Sequence, residues 1–362
     1  MIHRRRAWIF MCIFLLCFCD TPKRLITEVG FVAGSFINDI YTRLRRFVLL
    51  ASFILVDTGQ AFVTDWAERR TASDVQSSGR RYVRQTVLVF EACLAIVLGL
   101  LIQWLSGGLA AVQQCFNFNQ FLEFAPSCLF FSVGLSLKMR AVAYHNAGTI
   151  KIFGQLRMPM TAILSTICLA RHYDFVQWQA IGIITVSCFA YMHMKEQDKL
   201  DGKLTLTCGH GLLLCWVLLN SAGGTLAEWV YKRGELDFFA KFVAEDFGYL
   251  VINSFILILM AFCDPNENFC DRERRPGGFF DAWDRRTVAL VFMLLLDATV
   301  GNLLLHEFSA LTKCITKGFC VAMVYLMSLT YRDARHSAKS ALSWFAILVI
   351  QSSFLYSTLP GD

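Results

Sequence analysis

The sequence predicts an all-α, polytopic membrane protein with about ten transmembrane helices, arranged as two inverted five-helix repeats. Composition is the first observation behind this prediction. Of the 362 residues, 56% are hydrophobic and 17% are charged, whereas soluble domains carry about 25% charged residues. A soluble chain of this size could not cover so much apolar surface with polar side chains. Composition therefore argues against a soluble enzyme and indicates the lipid bilayer as the surroundings.

Recurring apolar runs are the second observation. Runs of about 18–22 residues alternate with short polar segments, and each run is long enough to cross a bilayer as a helix. Helices are expected because in lipid the backbone must satisfy its own hydrogen bonds. A membrane barrel would instead show alternating segments of about ten residues, and no such series occurs. The predicted spans are 47–64, 85–106, 122–142, 147–168, 175–194, 209–230, 245–263, 286–305, 308–329 and 340–357.

A polar segment at 194–203 separates these spans into two groups of five. An odd number of spans per half gives the halves opposite orientations, as in inverted-repeat transporters. We therefore predict a first five-helix repeat over 47–200 and a second over 201–362. Residues 1–46 are interpreted as an N-terminal extension. Its arginines at 4–6 and the short apolar run that follows are typical of a signal or anchor segment, and an extension without a fixed role is the equal alternative.

Charge and cysteine patterns exclude several other classes. The net charge of +6 comes from basic residues that apolar spans interrupt, so nucleic-acid binding is not expected. The 14 cysteines show no CxxC spacing, and no metal or cofactor is predicted. A membrane-embedded transferase would need acidic metal ligands or a His/Asp pair at a membrane face. Asp281 with Asp284, and His193 with Asp198, have such spacings. Because both pairs lie in charged loops, we expect no enzymatic activity and keep the transferase as a minor alternative.

Arg157 is the main candidate for ligand binding. It lies near the middle of the fourth predicted span, where a charge is costly and usually faces a cavity or a partner. Pro159 follows and is expected to kink the helix. These features indicate an anionic ligand, with a structural salt bridge to another span as the alternative. Lys151, near the start of the same span, can either reach the headgroups or join the ligand site.

The ninth predicted span repeats this pattern with two lysines. Lys313 and Lys317 are four residues apart and so share one helical face. The fourth and ninth spans occupy equivalent places in the two halves, so we expect Arg157 and Lys317 to converge at a pseudo-two-fold axis. Two cations at the midplane suit a phosphate or diphosphate. Asp297 in the eighth span is predicted to neutralise Lys317 when no ligand is bound.

Other polar residues in the spans allow more than one interpretation. Asn220 and Ser221 could hydrogen-bond a base or sugar, although the small residues at 221–225 favour close helix packing. Glu91 and Glu228 are each expected to pair with a basic residue at their own end of a span.

Several motifs, taken in order and spacing, resemble those of the nucleotide-sugar transporters. The similarity is to the branch of the drug/metabolite transporter superfamily that carries CMP-sialic acid, UDP-galactose and UDP-N-acetylglucosamine. The family's Gln-Leu-Lys-Ile-Pro followed by Thr-Ala reads Gln-Leu-Arg-Met-Pro at 155–159 and then Thr-Ala at 161–162. Its Lys-Gly-Phe falls on 317–319, its Gln-Trp on 177–178, and its Glu and Lys ending the sixth helix on Glu228 and Lys232.

The resemblance implies a ten-helix Golgi membrane carrier with cytosolic termini, or alternatively one of the endoplasmic reticulum. Its partners would be a cytosolic nucleotide sugar and a lumenal nucleoside monophosphate, exchanged by alternating access. The family's phosphate-facing lysines fall on Arg157 and Lys317. Family tyrosines fall on Ile150 and Gly154. These departures keep two alternatives open, a carrier of smaller organic phosphates or drugs and a non-transporting derivative. A homodimer is also left open.

Overall fold

The computed structural model describes an all-helical membrane protein. The described residues are 31–68, 84–142, 150, 153–175, 177–179, 181–183, 185, 208–234, 236–262, 279–280, 283–318 and 320. All regular secondary structure in this part of the chain is helical, which confirms the all-α class. Six of these helices are long and apolar enough to cross a membrane, so the multi-pass membrane character is also confirmed.

Seven helices carry the described fold. In chain order they are α1 (Phe31–Glu68), α2 (Arg84–Gln114), α3 (Phe118–Val142), α4 (Arg157–Cys168), α5 (Cys208–Lys232), α6 (Phe238–Phe262) and α7 (Arg285–Glu307). A further helical stretch covers 310–318.

Several helix starts differ from the sequence prediction, and α3 begins at Phe118, four residues before its predicted span. Helix α1 begins at Phe31, so it includes residues that were assigned to the N-terminal extension 1–46. Helix α6 begins at Phe238, seven residues before the predicted span 245–263. The predicted span 340–357 and most of 175–194 lie outside the described residues.

The fourth predicted span is also interrupted. Residues 153–155 are helical, Leu156 forms a turn whose N–H donates to the Phe153 carbonyl at 3.0 Å, and α4 then starts at Arg157. The interruption lies in the turn before Pro159, where a proline removes an i→i−4 hydrogen bond, so it agrees with the disruption expected at Pro159. Arg157 consequently sits at the N-terminal end of a helix rather than in the middle of one.

A buried lysine caps the turn that connects α5 to α6. The chain turns through Gly234, which has a φ of 81°. Lys241 of α6 is 2% exposed, and its ammonium donates to the carbonyls of Tyr231, Arg233 and Gly234 at 2.9, 2.8 and 3.4 Å. These carbonyls at the end of α5 have no partner within their own helix, so the lysine of α6 serves as their cap.

The main helix pairs are α2 with α6, α3 with α5, and α1 with α7. Small residues allow the closest approaches. A Cβ added at Gly99 of α2 would lie 2.5 Å from the Val243 Cγ2 of α6. At Gly223 of α5 it would lie 3.1 Å from the Phe131 ring of α3. The small residues at 221–225 therefore do serve close helix packing.

Candidate functional site

A cluster of charged side chains lies inside the bundle, between α1, α2, α4, α6, α7 and the stretch 310–318. We call it the central charged cluster. Its members are close enough to act on one another electrostatically. It consists of three basic residues, Arg157, Lys313 and Lys317, and five acidic residues, Asp57, Glu91, Glu245, Asp246 and Asp297.

Lys317 lies between two carboxylates on different helices. Its ammonium is 3.4 Å from Asp57 Oδ1 of α1 and 3.8 Å from Asp297 Oδ2 of α7. It also stands 5.7 Å from the centre of the Phe53 ring. Asp297 is thus beside Lys317, where the sequence led us to expect it, and the ligand-dependent role given to it stays a prediction. Asp57 is the nearer partner and was not anticipated.

Arg157 meets Lys317 across the bundle. The two act on each other electrostatically, and Arg157 also acts on Asp297. Their helices touch next to the cations, where Thr161 Oγ1 lies 3.6 Å from Cys314 Sγ. The structure therefore brings together the two cations that were expected to converge.

The Arg157 side chain is held by neutral groups. Its Nε donates to the Gly154 carbonyl at 3.0 Å, and its guanidinium lies 5.3 Å from the centre of the Trp216 ring. Among the described residues it forms no ion pair with a carboxylate. Its guanidinium is thus positioned without direct neutralisation by these residues, and the alternative of a structural salt bridge is not seen among them.

Lys313 lies one helical turn before Lys317 and interacts with Asp297 and Glu245. Gly301 of α7 makes room for it, since a Cβ at that position would stand 3.0 Å from the Lys313 Nζ. Lys313 therefore belongs to the same cluster as Lys317. Lys151, the other predicted site residue on the fourth span, lies outside the described residues.

Asn220 and Ser221 lie at helix interfaces. Ser221 is buried and its Oγ donates to the Arg157 carbonyl at 3.3 Å, which connects α5 to the start of α4. The amide nitrogen of Asn220 faces Gly134 of α3, where an added Cβ would lie 2.8 Å away. Both contacts fit the packing interpretation, and a role in binding a base or sugar stays a prediction.

Glu245 was missed by the sequence interpretation although it has the most hydrogen bonds in the cluster. Its carboxylate accepts from the Tyr231 hydroxyl at 2.5 Å, the Asn302 amide at 2.7 Å and the Tyr249 hydroxyl at 3.2 Å. Glu245 was taken as the first residue of a span, where an acidic side chain would face water. The adjacent acids Glu245 and Asp246, followed by a long apolar run, were the signal that could have revealed it.

The expectation for Glu91 is wrong, whereas that for Glu228 agrees with the structure. Glu91 lies two turns inside α2 and faces Asp297 and Glu245 rather than a basic residue at the helix end. Glu228 pairs with Lys232 at 2.8 Å, as expected, and also with Arg171. It accepts in addition from the backbone N–H of Ala310 at 2.8 Å.

Comparisons with known proteins bear on the fold alone. No protein-family model matches this chain, and no curated protein matches it. A solved crystal structure of another protein superposes with a TM-score of 0.58 over 85% of this chain and 95% of its own. The two chains are 10% identical, so their similarity extends to the helical architecture and not to activity.

Proposed function

We propose that this protein is a membrane carrier that exchanges a nucleotide sugar for a nucleoside monophosphate by alternating access. The observation that carries the proposal is that the helices of Arg157 and Lys317 touch beside the two cations, where Thr161 Oγ1 lies 3.6 Å from Cys314 Sγ. The motif resemblance around 155–162 and 317–319 supplies the substrate class. Golgi membrane is the proposed location, with the endoplasmic reticulum as the alternative, and co-localisation of a tagged chain with markers of each would distinguish them.

The helix pairing supports an inverted repeat of two five-helix halves. An exchange of halves would convert α1 into α5, α2 into α6 and α3 into α7. Under this exchange the pair of α2 and α6 maps onto itself. The pair of α3 and α5 maps onto the pair of α7 and α1. These are the main contacts in the described bundle. The same exchange relates α4 to the stretch 310–318, which carry Arg157 and Lys317, so both cations would lie near the axis of such a repeat.

The chemistry of the two cations suits a phosphate. A guanidinium can donate two parallel hydrogen bonds to phosphate oxygens, and an ammonium adds a compact charge. Arg157 also lies at the start of α4, where the helix dipole favours an anion. Lys317 is held by two carboxylates at 3.4 and 3.8 Å, distances from which a phosphate could draw it away.

Exchange rather than one-way flow follows from the same charges. Asp57 and Asp297 compensate Lys317, but Arg157 has no such partner among the described residues. Moving an uncompensated charge through a closed apolar state is costly. Binding of either anion would remove this cost, so the loaded carrier would reorient faster than the empty one.

Counterflow in proteoliposomes tests this function. The vesicles are preloaded with UMP, CMP or GMP, and uptake of labelled nucleotide sugars is measured. We expect uptake to be stimulated by at least one internal nucleotide. Arg157→Gln should abolish the stimulation, whereas Arg233→Gln should preserve it, because Arg233 lies beyond the end of α5 and contacts Trp229 at 4.6 Å. Stimulation by none of the nucleotides would refute the exchange, and competition by phosphate esters but not by nucleosides would favour a carrier of smaller organic phosphates.

A further inference from the structure

Two acidic side chains at the α2–α6 interface are not explained by anion binding. Glu91 of α2 and Asp246 of α6 lie on facing stretches of the two helices, between the 3.0 Å Gln85–Asn253 hydrogen bond and the close approach of Gly99 to Val243. The charge of Glu91 acts on Asp246. Asp246 is 2% exposed. Both Glu91 Oε1 and Asp246 Oδ2 are fully buried and have no hydrogen-bond partner in the described part of the chain. Buried carboxylate oxygens without donors are rare in folded proteins, so this pair needs a further occupant.

Among the described residues, the charged groups that act on the pair are acidic. Glu91 is acted on most strongly by Asp297 of α7 and Glu245 of α6, and Asp246 by Glu91 and Glu245. The charge of Asp246 also affects three groups without a positive charge: the thiol of Cys128 on α3 and the phenols of Tyr231 on α5 and Tyr249 on α6. The dominant charges facing the pair are therefore negative.

Glu245 shows how a carboxyl group can be satisfied in the same cluster. It accepts three side-chain hydrogen bonds, from Tyr231, Asn302 and Tyr249, and the positive charge of Lys313 acts on it. Such donors stabilise a negative charge in a low-dielectric interior. Neither Glu91 Oε1 nor Asp246 Oδ2 has a donor of this kind, although all three residues belong to one cluster.

Among the described residues, the cluster holds more carboxyl groups than cations. Its three cations are Arg157, Lys313 and Lys317, and three of its five acidic residues, Asp57, Asp297 and Glu245, have a basic or hydrogen-bonding partner. Ionised Glu91 and Asp246 would add two more negative charges inside the membrane. A buried carboxylate without a partner becomes neutral by taking up a proton, and two adjacent carboxylates share one readily.

We propose that Glu91 and Asp246 form a proton-binding site, and that anion binding at Arg157 and Lys317 increases the affinity of this site for its proton. A proton from the aqueous phase forms an O–H bond on one carboxyl group, which then donates to an oxygen of the other. Within the described residues no group of three or more His, Cys, Asp or Glu side chains could hold a metal ion, which favours a proton as the occupant.

Asp297 connects the two sites. It pairs with Lys317 at 3.8 Å and also acts on Glu91. A phosphate that draws Lys317 away leaves Asp297 uncompensated and brings its own negative charge into the cluster. Both changes favour a proton on the pair, and by reciprocity a bound proton strengthens anion binding. This coupling rests on the proposed function, whereas the proton site does not.

Infrared spectroscopy of the purified full chain tests the site without any ligand. At neutral pH we expect the carbonyl stretch of a buried, protonated carboxyl group. The band should disappear or shift in Asp246→Asn and in Glu91→Gln, which mimic the neutral pair and should preserve the fold. It should persist in Asp174→Asn, which alters an exposed loop residue. The proton site would be overturned if the band were absent, or if it persisted in both Asp246→Asn and Glu91→Gln. If adding sodium ions removed the band, the assignment of the occupant to a proton would be overturned.

Calorimetry tests the coupling separately. Heats of binding of UMP, CMP and GMP are measured in buffers that differ in ionisation enthalpy, for wild type and Asp246→Asn. The measurement is made at a pH at which the infrared band of the ligand-free protein has lost part of its intensity, so that the pair is only partly protonated. There we expect wild type to take up a larger fraction of a proton per bound nucleotide than Asp246→Asn, and subtracting the two values removes the titration of the phosphate itself. Equal proton uptake by the two proteins would overturn the coupling. If no nucleotide binds, the proposed function fails while the infrared result still decides the proton site.

Discussion

Replacing Glu228 by glutamine should destabilise the protein, because its carboxylate joins three separate parts of the chain. The side chain is fully buried near the end of α5. It pairs with Arg171 in the segment after α4, with Lys232 on its own helix, and with the backbone N–H of Ala310. Glutamine keeps the shape and one acceptor oxygen for Ala310 but removes the charge that both cations face.

The size of the effect follows from the exposure of the partners. Removing one partner of a fully buried ion pair costs about 3–5 kcal/mol, whereas an exposed pair contributes about 0.2–1 kcal/mol. The side chains of Arg171 and Lys232 are 29% and 35% exposed, so water can hydrate them once the carboxylate is gone. We therefore expect Glu228→Gln to lower the free energy of unfolding by about 2 kcal/mol. Glu228→Ala should cost about 1–3 kcal/mol more, because Ala310 also loses its acceptor.

Reversible unfolding in mixed micelles measures this difference. Lys232→Gln is the matched control and should cost at most about 1 kcal/mol, because Arg171 still pairs with the carboxylate. The double variant of Glu228 and Lys232 should cost less than the sum of the single variants, since the two side chains interact. The interpretation would be wrong if Glu228→Gln changed the free energy of unfolding by less than about 0.5 kcal/mol, which is typical of surface substitutions.

Two further substitutions test the packing around the central charged cluster. Tyr231→Phe removes the 2.5 Å hydrogen bond to Glu245, and we expect a loss of about 1.5–3 kcal/mol in unfolding free energy; a loss near zero would show that Glu245 does not depend on this donor. Gly99→Ala should cost about 1–3 kcal/mol by overpacking, because the new Cβ would stand 2.5 Å from Val243. Adding Val243→Ala should recover part of this cost. Gly211→Ala is the control and should have little effect, because its new Cβ meets nothing within 4 Å. Equal costs at the two glycines would contradict the close approach of α2 and α6.

The sequence was sufficient for helices in which a long apolar run outweighs one interior acidic residue, Glu91 in α2 and Asp297 in α7. The predicted spans 85–106 and 286–305 lie within α2 and α7. The start of α6 was misplaced because its first two turns carry Lys241, Glu245 and Asp246. Two of these, Lys241 and Glu245, are satisfied by groups on other helices. Hydropathy along the chain does not detect partners that arrive through tertiary packing.

The candidate site was only partly predictable for the same reason. The approach of Arg157 to Lys317 could be anticipated from the predicted inverted repeat, since equivalent spans of such a repeat come together at its axis. The pairing of Lys317 with Asp57 could not, since it depends on how α1 packs against residues near 317. The partner of Glu91 was misjudged. Its position near the start of a span suggested a basic partner at the membrane surface, whereas the charge of Asp297 inside the bundle acts on it.

Thermal stabilisation of the purified protein by nucleotides tests most directly whether Arg157 and Lys317 form a phosphate site. The panel consists of nucleoside mono- and diphosphates, with the matching nucleosides as controls. A nucleotide at ten times its dissociation constant should add about 1.4 kcal/mol to the stability of the wild type. It should add much less to Arg157→Gln, while the nucleosides should stabilise neither protein. Equal stabilisation of the two proteins, or no stabilisation by any nucleotide, would contradict a phosphate site at these two cations.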